Sequence, residues 1–210
     1  MSTNNTSSSN QSPAITDANA PFDDPDTDAI LRSSDNVDFR VFRHFLSYAS
    51  PVLRTVFALP QVSQGDNSNE TKDGLPIIQV SEESKTLGRL LLMCYPKDES
   101  LPGIESLEDV HALLDAAVKY NMERVEKKVR KRLIAQCFLS TDAVRVFAIA
   151  CRFHLREEAK GAARSTVGQS IIGKPLAKEL DLVTGRQMCE LLHYHDSSQK
   201  MHRGDKGHSR

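Results

Sequence analysis

The stretch Asp28–Phe57, DAILRSSDNVDFRVFRHFLSYASPVLRTVF, decides the fold because its period changes part-way. Ile30 and Leu31, then Phe39 and Val41, form short apolar runs on either side of Ser33-Ser34-Asp35-Asn36. Two extended runs around four turn-forming residues predict a β-hairpin. Past Phe42 the spacing is helical, with Phe45, Leu46 and Ala49, then Leu53, Val56 and Phe57. Ser50-Pro51 marks a fresh helix start, with Ser as N-cap and Pro at the first helical position. A hairpin running into two short helices predicts an α+β nucleus. It holds no cluster of groups able to do chemistry, which points toward recognition.

On the N-terminal side, residues 1–25 are Ser, Asn and Thr with scattered Pro and acid. Such a run buries too little apolar surface to offset ordering entropy, so a disordered tail is expected. On the other side, residues 60–74 are polar again and read as an exposed loop or a disordered insert. Pro76 to Val80 predicts a third short strand. Ser81 and Ser84 are cap candidates for a helix with Leu87, Leu90, Leu91, Cys94 and Tyr95 on one face, stopped by Pro96.

Ser106-Leu107-Glu108-Asp109 resembles a capping box. It opens a helix whose stripe is Val110, Leu113, Leu114, Ala117 and Val118, ending at Asn121. Val125, Val129 and Leu133 form a narrow seam on the next helix. Ser140 or Thr141 caps a further one through Val144, Phe147, Ala148, Cys151 and Leu155. Ala159, Ala162, Ala163, Thr166 and Val167 follow at helical spacing. Pro175 opens a short helix with Leu176 and Leu180. Thr184-Gly185-Arg186-Gln187 fits a capping box for a seam of Met188, Leu191 and Leu192. A polar tail is expected from Ser197.

Hydrophobic residues make up 39% and charged residues 26% of the 210, with no Trp, so the core is expected to be aliphatic. Lys and Arg number 27 against 28 acids, which argues against general nucleic-acid binding. Cys94, Cys137, Cys151 and Cys189 form no CxxC pair and lie in apolar helical contexts, so reduced core thiols are expected. There is no basic-then-apolar leader and no apolar run near membrane-spanning length. The expected setting is cytoplasm or nucleus, without membrane contact, and the acceptor-like sites at Asn4, Asn5, Asn10 and Asn69 are expected to stay unglycosylated.

Taken in order, these elements resemble a BTB/POZ domain of the fungal type. The resemblance rests on Asp28 at the head of the first strand, then Phe39, Arg43, Leu46, Ser50, Leu53 and Phe57. It continues through the strand LPIIQVS, the helix LLLMCYP and the segment DAAVKYNME, and covers roughly residues 26–137. VFAIACRFHLREEAKGAAR, 146–164, looks like the helical extension that follows this domain in many fungal members. The implied fold is α+β: a small three-stranded sheet flanked by helices at 26–137, then an extension at 138–196. Two positions depart from the family pattern: Phe42 stands where His is usual and Leu53 where Phe is usual.

The resemblance implies a protein-interaction module. Many members homodimerise, and some recruit a cullin-type ubiquitin-ligase scaffold. In dimeric members an Asp and an Arg form a buried charged pocket at the interface, and Asp28 and Arg43 occupy the matching positions. The bland reading is a strand-start Asp beside a solvent-facing Arg. The expected interface joins Asp28 and Arg43 with Phe42, Phe45, Leu46, Leu53 and Val56, apolar groups in excess of what a small domain needs on one short stretch. The expectation is a homodimer or a docked protein partner, with a cullin adaptor or a transcriptional regulator that does not itself touch DNA as alternatives.

Other constellations point to bland roles. Lys127-Lys128-Val129-Arg130-Lys131-Arg132 resembles an import signal or an anion patch, but also the solvated face of an amphipathic helix, which its periodicity favours. Cys189, His193 and His195 have zinc-like spacing without a fourth ligand. His44 and His111 are isolated. GxSxG, GxxxxGK[ST] and GxGxxG are absent, and Glu82-Glu83 and Glu157-Glu158 are adjacent pairs that diverge on a helix. The expectation is no enzyme, no cofactor and no metal.

Overall fold

The computed structural model describes residues 14–59, 71–95, 103–167, 169, 171 and 178–205, with side chains to residue 200. The chain divides into two units, residues 1–98 and 99–210. In the first, the elements run β1 (Thr16–Asp17), β2 (Ala29–Arg32), β3 (Val37–Val41), α1 (Arg43–Ala49), α2 (Pro51–Ala58), β4 (Thr71–Lys72), β5 (Leu75–Gln79) and α3 (Ser84–Cys94).

The hairpin forms where the turn residues direct it. β2 and β3 pair antiparallel, with Leu31 opposite Phe39 and Arg32 opposite Asp38. Asn36 takes the left-handed conformation at φ 62°, a region Asn tolerates. Ser33 Oγ accepts the Val37 N–H at 2.9 Å and fixes the turn. β5 joins β2 in parallel, through Ile30 opposite Ile77 and Leu31 opposite Ile78.

The sheet has five strands rather than three, in the order β1-β3-β2-β5-β4. Both additions are two residues long, too short to show any period. β1 lies in the segment expected to be a disordered tail. From Ala14 on that segment is ordered, because Phe22 plugs into the core at 4% exposure and β1 pairs parallel with β3; residues 1–13 lie outside the described part. β4 lies in the stretch expected to be a loop. Asp73 and Gly74, both at positive φ (54° and 77°), make the tight turn to β5. Asp-Gly favours such a turn, a signal the polar composition hid. Residues 60–70 are not described.

The sheet curls until its two edges meet. Lys72 of β4 reaches Asp17 of β1 at 2.5 Å and Asp38 of β3 at 3.0 Å. Asp38 also takes a two-pronged bond from Arg32, at 2.6 and 3.1 Å, and both side chains are buried. Burial pushes the Asp38 carboxyl up, but the hydrogen bonds and charges of Arg32 and Lys72 outweigh it and hold it below the ordinary aspartate value.

The helix starts follow from capping chemistry. Ser50 Oγ accepts the Leu53 N–H at 3.0 Å, with Pro51 in the first turn of α2. Neither expected serine caps α3. Instead Asp35, in the hairpin turn, accepts the Ser84 N–H at 2.8 Å and the Ser84 hydroxyl at 2.6 Å, which ties α3 to the hairpin. Leu87, Leu90 and Leu91 bury the core face of α3. On the same helix a Cβ built at Gly88 would stand 3.3 Å from the Phe39 ring. Glycine therefore lets the ring lie against the helix. Pro96 lies outside the described residues.

The second unit contains α4 (Leu107–Lys119), α5 (Glu123–Leu133), α6 (Gln136–Arg152), α7 (Arg156–Thr166), a 3-10 turn (Lys178–Leu182) and α8 (Gly185–Asp205). Ser106 caps α4 by accepting the Asp109 N–H at 3.1 Å, and Asn121 at φ 51° follows its end. The seam Val125, Val129 and Leu133 is buried as expected, whereas Val118 is exposed. Thr184 and Gln187 form the reciprocal box that opens α8: Gln187 Oε1 accepts the Thr184 N–H at 2.9 Å, and Thr184 Oγ1 accepts the Gln187 N–H at 3.3 Å.

Three expectations need correction in this unit. The helix restart is a kink inside α6 at Asp142 (φ −141°, ψ 49°), and Ser140 and Thr141 turn their hydroxyls back to the Cys137 carbonyl instead. The expected boundary at 137/138 thus falls within α6. Residues 197–205 continue α8 instead of forming a separate tail. The thiols are all unbridged, but Cys137 and Cys189 are exposed and not core. Cys151 is half-buried; burial, with a smaller push from Glu190, raises its thiol to about 11. Arg145 on α6 ties α4 and the 3-10 turn together, through Glu108 at 2.5 Å and Glu179 at 2.5 Å. Pro175 and Leu176 are outside the described residues.

Candidate interaction face

Asp28 stands just ahead of β2 and does two jobs. One carboxylate oxygen accepts the Arg43 backbone N–H at 2.7 Å, and the other lies 3.3 Å from Arg43 Nε. Phe42 at the head of α1 supplies no side-chain cap. Asp28 therefore serves one of the helix's orphan N–H groups from a distance. The pair is half-exposed, at 49% and 38%, so within one copy it is not a buried charged pocket.

The apolar candidates separate. Leu46 and Leu53 are buried in the chain's own core and present nothing outward, which corrects their place in the expected face. In helices of seven and eight residues, one apolar side per helix is taken by the domain interior. Phe42, Phe45 and Val56 are half-buried. Phe42 stacks edge-on against Phe45 at 5.9 Å, and Phe45 meets Tyr95 at 5.1 Å. Tyr95 in turn touches Phe22 at 5.8 Å, and its hydroxyl accepts the Phe42 N–H at 3.1 Å. Burial raises the Tyr95 phenol above its ordinary value, with the Phe42 N–H opposing. A line of rings thus runs from the core to the surface beside α1.

Three exposed apolar residues on or beside α1 and α2 were not singled out by periodicity. Tyr48 is 75% exposed, Leu59 60% and Val52 38%. Val52 and Val56 stand at i and i+4 on α2, and Leu59 follows the helix end in an extended conformation. The signal was present: once Leu53 is assigned inward, Val52 must face elsewhere.

The remaining constellations are dispersed. Among the described residues no three His, Cys, Asp or Glu side chains are placed to hold a metal. Cys189 and His193 are exposed, and His195 Nε2 lies 3.2 Å from the Gln169 carbonyl. The basic run lies on α5 as a solvated face over the buried valine seam. Arg130 pairs with Glu158 at 2.7 Å, and Arg132 donates to the Ile104 carbonyl at 2.7 and 2.9 Å. No single described helix is long and apolar enough to cross a membrane.

The family model described as BTB/POZ domain matches residues 20–136, more than half of the 210 residues. No curated protein matches the chain. The match begins just before Phe22, so it takes in the ring that completes the aromatic line as well as the hairpin and its two short helices. The chain therefore belongs to the BTB/POZ domain family.

Proposed function

We infer that the chain is a non-catalytic protein–protein interaction module that pairs with a second copy through the α1–α2 face. The carrying observation is the outward apolar set Tyr48, Val52 and Leu59, backed by half-buried Phe42, Phe45 and Val56. Apolar side chains grouped on one face lose solvent contact when a partner covers them, and aromatic groups at the centre supply most of the binding energy. Asp28 and Arg43 stand at the start of α1. A second copy would desolvate them, and then they would set register more than strength.

Sedimentation of the wild-type chain at tens of micromolar is expected to give a dimer, and the double variant Tyr48→Ser, Val52→Ser a monomer of unchanged helicity. A wild-type monomer at that concentration would overturn the pairing. Retention of a cullin-type scaffold by that monomer would move the role to an adaptor.

A further inference from the structure

We propose that the outer edge of β3 is a peptide-docking channel, held shut by the chain's own residues 14–22, and that it accepts from a partner protein a segment that pairs with β3 beside an acidic residue and then turns to place an aromatic one five positions on. The resident segment pairs with β3 at Thr16 and Asp17, turns where the Phe22 N–H donates to the Asn19 carbonyl at 3.1 Å, and meets β3 again at Arg40, all through backbone bonds that demand no particular sequence. The Thr16 N–H donates to the Asn36 carbonyl at 3.0 Å and the Ala18 N–H to the Asp38 carbonyl at 2.8 Å. The Arg40 N–H donates to the Phe22 carbonyl at 3.0 Å. Two side chains add selectivity. Phe22 enters edge-on between Phe39, at 5.4 Å, and Tyr95, at 5.8 Å. Asp17 lies 2.5 Å from Lys72.

The rest of the segment contributes little. Ala14, Ile15, Thr16, Asp17, Asn19 and Ala20 are exposed, and Phe22 is the segment's one buried side chain. A segment so held opens at the low end of a protein's range of local stabilities. Opening leaves β3 as a bare edge strand, an empty slot between two rings, and a cation. Lys72 would stay in place, because buried Asp38 holds it at 3.0 Å. Edge backbone groups, a side-chain pocket and a charged selector are what strand-addition recognition uses. The channel uses none of Tyr48, Val52 and Leu59, although its Tyr95 wall also meets Phe45 behind the α1–α2 face.

The test uses the full chain and a fluorescent peptide of residues 14–24, followed by anisotropy. In the Phe22→Ala chain the slot is vacant, and the peptide is expected to bind about 10- to 100-fold more tightly than to wild type, since apparent affinity scales with the open fraction. A peptide carrying Phe22→Ala is expected to lose that gain. The Asp17→Lys chain keeps the plug and loosens only an exposed contact; a severalfold gain is expected there, and this variant decides the matter if Phe22→Ala does not fold. Equal peptide affinity for the folded variants and wild type, or equal binding of the Phe22→Ala peptide, would overturn the proposal. So would dimerisation of the Phe22→Ala chain in place of peptide capture.

Discussion

Two of the first unit's arginine–aspartate pairs lie in opposite surroundings. Arg32 and Asp38 face each other across the hairpin with their side chains 5% and 0% exposed, whereas Asp28 and Arg43 stand half in water. The buried pair has lost its hydration and stands or falls as a unit. The half-exposed pair gains little from its attraction in water and can be rearranged by a partner. Burial, not residue type, separates a structural pair from an adaptable one.

The largest effect is expected at Asp38. Asp38→Ala would remove the carboxylate that buried Arg32 grips at two points and that Lys72 also contacts, and cost about 3–5 kcal/mol, read from urea unfolding. Replacing both members with well-packed apolar residues of similar volume should recover most of that loss. If Asp38→Ala costs under about 1 kcal/mol, the two pairs are alike and the contrast fails.

Acid should expose the same difference. The folded Asp38 carboxyl is held below its ordinary value of 3.8. The unfolded chain therefore takes up the proton at higher pH than the folded one. The stabilisation is complete above the unfolded value and is lost as pH falls through the folded one, in the window below about pH 5. Asp38→Asn should flatten that limb of the stability–pH curve.

Smaller effects follow at the caps. Asp35→Ala removes the acceptor for the Ser84 N–H and hydroxyl, and about 1 kcal/mol of stability should go with it. Asp28→Ala should cost a similar amount, about 1 kcal/mol by thermal melting, because it removes the acceptor for the Arg43 N–H while the half-solvated charge pair adds little. Its larger readout should be the dimer fraction in sedimentation. A stability loss at Asp28 as large as at Asp38 would reverse the ranking.

Local chemistry was legible in the sequence. The hairpin, the Ser50-Pro51 start, the α3 face, the Ser106 cap and the Thr184–Gln187 box each depend on neighbours within a few positions. What escaped depends on distant chain. β1 has two residues and no period, and Phe22 looks solitary until Phe39 and Tyr95 arrive from elsewhere. The cap of α3 comes from Asp35, forty-nine positions earlier. Leu46 and Leu53 share their helices with outward-facing residues, and only tertiary packing decides which side the interior claims. The family resemblance supplied the topology, but it could not say how deeply Asp28 and Arg43 sit.

Gly88 places a limit on how this part of the molecule can change. Mid-helix glycine to alanine ordinarily strengthens a helix. Here the new methyl would act as a wedge against the Phe39 ring, which leans on Phe22, which leans on Tyr95. A one-carbon substitution on α3 would thus be felt first at the N-terminal strap, several side chains away.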